Sequence, residues 1–274
     1  MSVPSTTIRA RYGLIIPSSN RMAEPHAYEY SPDGVVPHAT RVRMTGPHFM
    51  RFDELRPKIV EAAAMLADAR CDPIVFHCTA NSMAEGMTGE RHIVAAIKNA
   101  TGGQAMTTAS ATMAAFEALA AKRIVFVSPY TRPSHERDLE FLEEAGLEIV
   151  GERNLGLSGS DAYCAMPAAD WLQVMAEEKD DRTDVYFLSC ANIRAIEALE
   201  EMEKILGRPV VTSNQVVIWQ ALRLAGVNDP LPRLGRLGAK AAAAADLVVA
   251  GRPLTSGLQG KTKMACPPQE GRIG

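Results

Sequence analysis

No stretch of this sequence approaches the roughly 18 consecutive apolar residues that a membrane-crossing helix needs. The opening MSVPSTTIRARYGLII holds too short an apolar run for a secretory leader. A basic stripe is also missing. The formal net charge is −3 and Lys and Arg are nowhere clustered, which excludes nucleic acid as a partner, since a phosphate backbone needs such a track. The five cysteines (Cys71, Cys78, Cys164, Cys190, Cys266) are odd in number and form no CxxC pair. Structural zinc and a secreted disulfide framework are both argued against. HERDL at residues 135–139 is not HExxH, and the remaining histidines fall at unrelated spacings, so no metal site is expected. The Gly156–Gly159 stretch, GLSG, lacks the flanks of a nucleophile elbow, and no Gly-Lys-Ser/Thr phosphate loop follows it. The absences leave a reduced, cytoplasmic protein.

What is present is an apolar chain with a regular rhythm. Hydrophobic residues make up 47% of 274, enough for one large domain or two lobes of about 100 residues each. Strands are predicted at 12–16, 35–44, 73–77, 104–107, 123–128, 147–151, 184–189 and 209–213. Helices are predicted between them at 52–69, 90–99, 109–121, 134–145, 168–178, 193–206 and 215–224. The runs at 74–76, 124–127 and 185–188 are almost continuously apolar, as strands buried on both faces of a parallel sheet read. Strand–helix alternation predicts an α/β, doubly wound architecture. The expected division is an N-terminal lobe at 1–112 completed by a helix at 214–226, and a C-terminal lobe at 113–213. An extra alanine-rich helix and a loosely ordered tail are expected at 227–274.

A small theme occurs twice. IVFHCTAN and VYFLSCAN each read as an apolar strand, then Cys, then Asn, then a helix, and they stand about one lobe apart. In open α/β sheets the carboxyl ends of strands are where ligands bind. A thiol there sits beside free backbone N–H groups and a helix N-terminus, both of which are expected to lower its pKa and to receive a carboxylate. Two such thiols flanking a small acid permit two chemistries. Opposed acid and base would racemise an α-carbon. Addition of one thiolate to a double bond, rotation and elimination would interconvert cis and trans isomers. Neither needs a metal or an organic cofactor. Cys71, Cys164 and Cys266 lack this setting.

GLIIPSSN (13–20), FHCTANS (76–82), VSPYTRP (127–133), FLSCANIRAIE (187–197) and GRPVVTSNQVVIWQALRLAG (207–226) occur in the order seen in maleate isomerases and arylmalonate decarboxylases. Over residues 10 to 226 the chain thus resembles that branch of the aspartate/glutamate racemase superfamily. The resemblance implies two flavodoxin-like lobes with the active site between them. It implies Cys78 as nucleophile or base and Cys190 as acid or base on the opposite face. Asn20 and Tyr130 would hold substrate carboxylates, with Thr79, Ala80, Asn81, Ala191 and Asn192 supplying donors beside the thiols. Ser160 matches best an Asn that maleate isomerases place in the loop before the sixth helix. Arylmalonate decarboxylases carry glycine at the position of Cys78, so two cysteines favour an isomerase or racemase. The substrate implied is a small carboxylate, and relatives imply a homo-oligomer, a dimer or higher.

Two departures carry expectations of their own. Asp161, in the Ser160 loop, would repel a dianion, and Arg21 would add a positive charge near the pocket or stand solvated. His77 is expected to be a buried structural residue, because adjacent strand side chains point to opposite faces. Asn214 is expected to cap the helix that follows it.

Overall fold

A computed structural model describes residues 7–44 and 49–240 of the chain. The elements run β1 (Ala10–Pro17), α1 (Ala23–Tyr30), β2 (Val35–Val42), α2 (Phe52–Asp68), β3 (Ile74–Phe76), α3 (Thr79–Met83), α4 (Gly86–Thr101), β4 (Ala105–Thr107) and α5 (Thr108–Ala118). They continue β5 (Arg123–Ser128), α6 (Arg132–Glu144), β6 (Glu148–Asn154), α7 (Gly159–Ala165), α8 (Ala168–Glu177) and β7 (Val185–Leu188). A 3-10 turn at Ala195–Ala198 leads into α9 (Leu199–Leu206), β8 (Val210–Thr212), α10 (Ser213–Leu224), a second 3-10 turn (Pro232–Leu234) and α11 (Gly235–Gly238).

Two four-stranded sheets form, ordered β2-β1-β3-β4 and β6-β5-β7-β8, and every strand pair is parallel. Counted from its own first strand, each sheet has the order 2-1-3-4. The chain reverses direction across the sheet between the first and third strands, and ligands bind at the carboxyl ends flanking such a reversal. The three apolar runs become β3, β5 and β7, three of the four central strands, buried on both faces.

Helices α5 and α10 pack on each other between the sheets. Each starts from a strand's last residue with a reciprocal cap, Thr107 with Ser110 and Thr212 with Gln215. Thr212, not Asn214, therefore caps α10. One continuous core joins Leu14, Val75, Phe116, Phe126, Phe187 and Trp219, so residues from both sheets share a single apolar interior. Every strand and helix predicted between residues 12 and 224 is found within a few residues. The sequence pattern passes over α1, α3 and α7, which at eight, five and seven residues are too short to display helical periodicity. The tail beyond Lys240, with most of the predicted alanine-rich helix, lies outside the described residues. Among the described residues no helix is long and apolar enough to cross a membrane.

The segment after α10 is held by a buried arginine. Arg223 donates to the carbonyls of Val227 (2.9 Å), Asp229 (3.0 Å), Gly238 (3.2 Å) and Lys240 (3.2 Å). Gly238 must be glycine, because a Cβ there would collide with the Leu231 carbonyl. Replacing Arg223 with Met keeps the aliphatic stem but strands these acceptors. Arg223→Met is expected to lose about 3 kcal/mol in urea unfolding, from the cost of orphaning buried carbonyls. It should also expose the 227–240 segment to limited proteolysis.

Candidate active site

Cys78 lies at the end of β3, where it is the N-terminal flanking residue of α3, and Cys190 occupies the corresponding place after β7. One hydroxyl joins the two turns. Ser213, the first residue of α10, accepts from the Thr79 hydroxyl at 2.9 Å and from the Cys190 backbone N–H at 3.0 Å. Cys190 has a φ of +114°, a region that L residues seldom occupy and that costs roughly 1–3 kcal/mol. The Ser213 bond and the Asn192 N–H, which donates to the Cys190 sulfur at 3.3 Å, hold it there.

Both sulfurs open on one cavity of about 100 Å³. All ten residues singled out in the sequence line it: Asn20, Cys78, Thr79, Ala80, Asn81, Tyr130, Ser160, Cys190, Ala191 and Asn192. Their side chains do unequal work. The amide of Asn20 donates to the Ala191 carbonyl (3.0 Å), while its oxygen accepts from the N–H groups of Met22 and Ala23 at the start of α1. That leaves one amide hydrogen for a ligand. Asn81 clamps the backbone of Met50 through both of its polar atoms. The Asn192 oxygen accepts from the Arg21 N–H (2.8 Å) and the Cys164 thiol (3.1 Å). The three asparagines therefore stitch the loops of both sheets around the cavity. Tyr130, buried against Tyr163 with its hydroxyl beside Cys190 and Ser189, and Ser160 add hydroxyl groups to the same lining.

Arg21 and Asp161 pair with each other at 2.7 Å, and neither lines the cavity. The acid that would repel a dianion is thus 99% exposed and neutralised outside, and Arg21 adds no charge within. His77 is fully buried and turned away from Cys78. It lies 2.9 Å from the Thr108 hydroxyl and 2.9 Å from the Asn214 oxygen, and the Asn214 amide reaches His26 at 2.7 Å. Asn214 is a link between two buried histidines. Burial pulls His77 down to about 4, so it stays neutral.

The thiols are not acidic. Burial pushes Cys78 up to about 11 and Cys190 up to about 12. The Asn81 and Asn192 N–H groups act in the opposite direction without offsetting it, and a charge on Cys78 would raise Cys190 further. The expectation of lowered values fails for a structural reason. The helix after Cys78 has only five residues, and Cys190 is followed by a turn and a 3-10 segment before α9 begins. Little dipole is available to counter the loss of water.

Several cavity residues have no distinguishing sequence signal. Tyr163 belongs to the short α7, and Phe49, Ser134 and Arg137 read as ordinary surface positions. Asp138 is wholly buried behind the site. One of its oxygens accepts from the Ser189 hydroxyl at 2.8 Å and the other has no partner among the described residues. Burial raises its carboxyl to about 7. No cluster of three or more metal-ligating side chains occurs among the described residues.

The profile of the arylmalonate decarboxylase family matches residues 12–238. Arylmalonate decarboxylase of Bordetella bronchiseptica is 30% identical over 68% of this chain and 79% of its own. Maleate isomerase of Pseudomonas putida is 26% identical over 83% of this chain and 96% of its own. A crystal structure of the maleate isomerase Iso from Pseudomonas putida S16, with one cysteine changed to alanine and with maleate, superposes with a TM-score of 0.78 at 24% identity. It covers 85% of this chain and 98% of that one, and the likeness shows the two-lobed α/β fold. On a family match of this extent, the chain belongs to the arylmalonate decarboxylase family, in the branch shared with the maleate isomerases.

Proposed function

We propose that this chain is a cofactor-independent cis–trans isomerase of a small unsaturated carboxylic acid of the maleate type. The observation that carries the reading is the pair of thiols, brought by equivalent strands of two sheets onto one cavity sized for a few heavy atoms. Kinship with maleate isomerases supports an isomerase. Cysteine at position 78 supports it over a decarboxylase.

The high thiol pKa values shape the chemistry. At neutral pH the pair holds two protons. The Cys78 sulfur adds to one carbon of the double bond, and the π pair moves to the neighbouring carbon as an enolate spread into its carboxylate. Tyr130, Ser160 and the remaining Asn20 hydrogen would steady that charge, as preorganised donors do in a water-poor site. Cys190 protonates the carbon, for which a thiol kept protonated by burial is suited. The proton lost by Cys78 passes to Cys190. The C–C bond, now single, rotates. The second half reverses these transfers: Cys190 returns a proton to the Cys78 sulfur as the S–C bond breaks, takes one from the same carbon, and the trans acid leaves with both thiols protonated again. No electrons are gained or lost overall.

Conversion of maleate to fumarate followed by proton NMR tests the reading. Cys78→Ala and Cys190→Ala are each expected to lower kcat/KM by roughly 10³-fold or more, because the two sulfurs act as a unit. Mass spectrometry of Cys190→Ala with substrate should find one substrate molecule added at Cys78. Turnover surviving in Cys78→Ala would sink the addition route. Deuterium appearing at the α-carbon of a recovered chiral acid would mark a racemase instead.

A second measurement checks the protonation state. With its pKa near 11, Cys78 in the free enzyme should react with iodoacetamide about tenfold faster per pH unit from 7 to 10. A plateau near pH 8.5 would show an ordinary thiol.

A further inference from the structure

Arg137 is the one cationic side chain among the described residues that line the cavity, and no acid shares that lining. It stands one turn after Ser134 on α6, a spacing that puts both on one helix face. That helix packs against α3, the helix that follows Cys78. The guanidinium donates to the Ser134 hydroxyl at 3.1 Å and lies over the Phe49 ring, 5.5 Å from its centroid. Phe49 and Ser134 line the same cavity.

Some arginines among the described residues, Arg56, Arg70 and Arg91 for example, form no ion pair, and others hold a carboxylate. Arg9, Arg21, Arg41, Arg123, Arg132 and Arg153 each hold one within 3 Å. Arg137 has no carboxylate within ion-pair distance among the described residues. Asp138, next in sequence, is turned inward onto Ser189. The cation is half-buried, stacked on an aromatic face that restricts it, and supplied with a neighbouring hydroxyl. A guanidinium fork in that setting matches a carboxylate through two parallel hydrogen bonds. The other residues that line the cavity, Cys78, Cys190 and Tyr130 among them, carry no cationic or acidic side chain.

We propose that Arg137, with Ser134, forms the subsite for a second carboxylate, and so makes the preferred ligand a dicarboxylate rather than a monocarboxylate. The proposal rests on the isomerase reading for its meaning in turnover, but not for its binding test. Phe49 keeps the fork in place.

The test uses the full chain and saturated acids that cannot react. Succinate and malonate, with butyrate and propionate as single-carboxylate controls, are titrated calorimetrically into wild type, Arg137→Met and Arg137→Lys. Arg137→Met should raise the Kd for succinate by 10- to 100-fold, the range expected for a charged hydrogen-bonded pair. The Kd for butyrate should change less than about twofold, since that acid makes no second contact. Arg137→Lys, which keeps the charge but loses the fork, should fall between. In turnover of a cis-dicarboxylate the KM should rise at least about tenfold while kcat moves less than about threefold, as for a contact made equally in ground and transition states. Equal losses for mono- and dicarboxylates, or no dicarboxylate binding by the wild type, would overturn the proposal. Selective dicarboxylate binding without turnover of any unsaturated acid would instead uphold the subsite and sink the isomerase reading. Arg137→Lys, with near-native shape, covers the case in which Arg137→Met fails to fold.

Discussion

A single oxygen fixes the distance between the two halves of this site. Ser213 belongs to neither cysteine turn, yet it accepts a hydrogen bond from Thr79 beside one sulfur and from the backbone of the other. It can do so because α10 begins directly after β8 and is anchored by its own reciprocal cap. The helix then buries Trp219 and neighbouring apolar residues in a core shared by both sheets. The strained backbone of Cys190 is sustained by the same contact. If the core shifted, the two turns would lose their common acceptor and the cavity its dimensions. Packing and chemistry meet at that hydroxyl.

Burial has a double effect here. It lets a few donors act strongly on a bound anion, because water does not compete with them. It also denies charge to every unpaired group at the site. Both thiols and Tyr130 are pushed up, Asp138 is held near neutrality, and His77 stays uncharged. Of the groups that line the cavity only Arg137 therefore carries a formal charge, with Asp138 behind them about half ionised near pH 7. A mechanism that moves protons within a pair of thiols fits such an interior better than one that begins with a standing thiolate.

Much of the fold was legible in the residues. The runs IVF, IVFV and VYFL had to be strands buried on both faces, and the twice-used strand–Cys–Asn theme pointed to the carboxyl ends of matching strands. The structure puts both cysteines after the third strand of sheets with the same order. The short helices were illegible because five to eight residues cannot display a period. Thiol acidity is not legible in the same way, because a strand end implies a helix dipole, whereas the backbone beyond Cys190 is a turn. Nothing local marks Arg137 or Ser213, since their meaning comes from what other elements bring within reach. The asparagines were read as ligands, and their side chains are largely spent on tying loops together.

The two cysteine turns share a topological slot without sharing a shape. Cys78 leads into a helix from ordinary extended backbone, whereas Cys190 sits at a positive φ ahead of a turn. A flat molecule lying between them meets two unlike surfaces. The pocket therefore has a sense: it distinguishes the upper from the lower face of a planar ligand, which a mirror-symmetric pair of thiols would not. The two sulfurs stand at equivalent strand ends, and the backbone around the second makes them non-interchangeable.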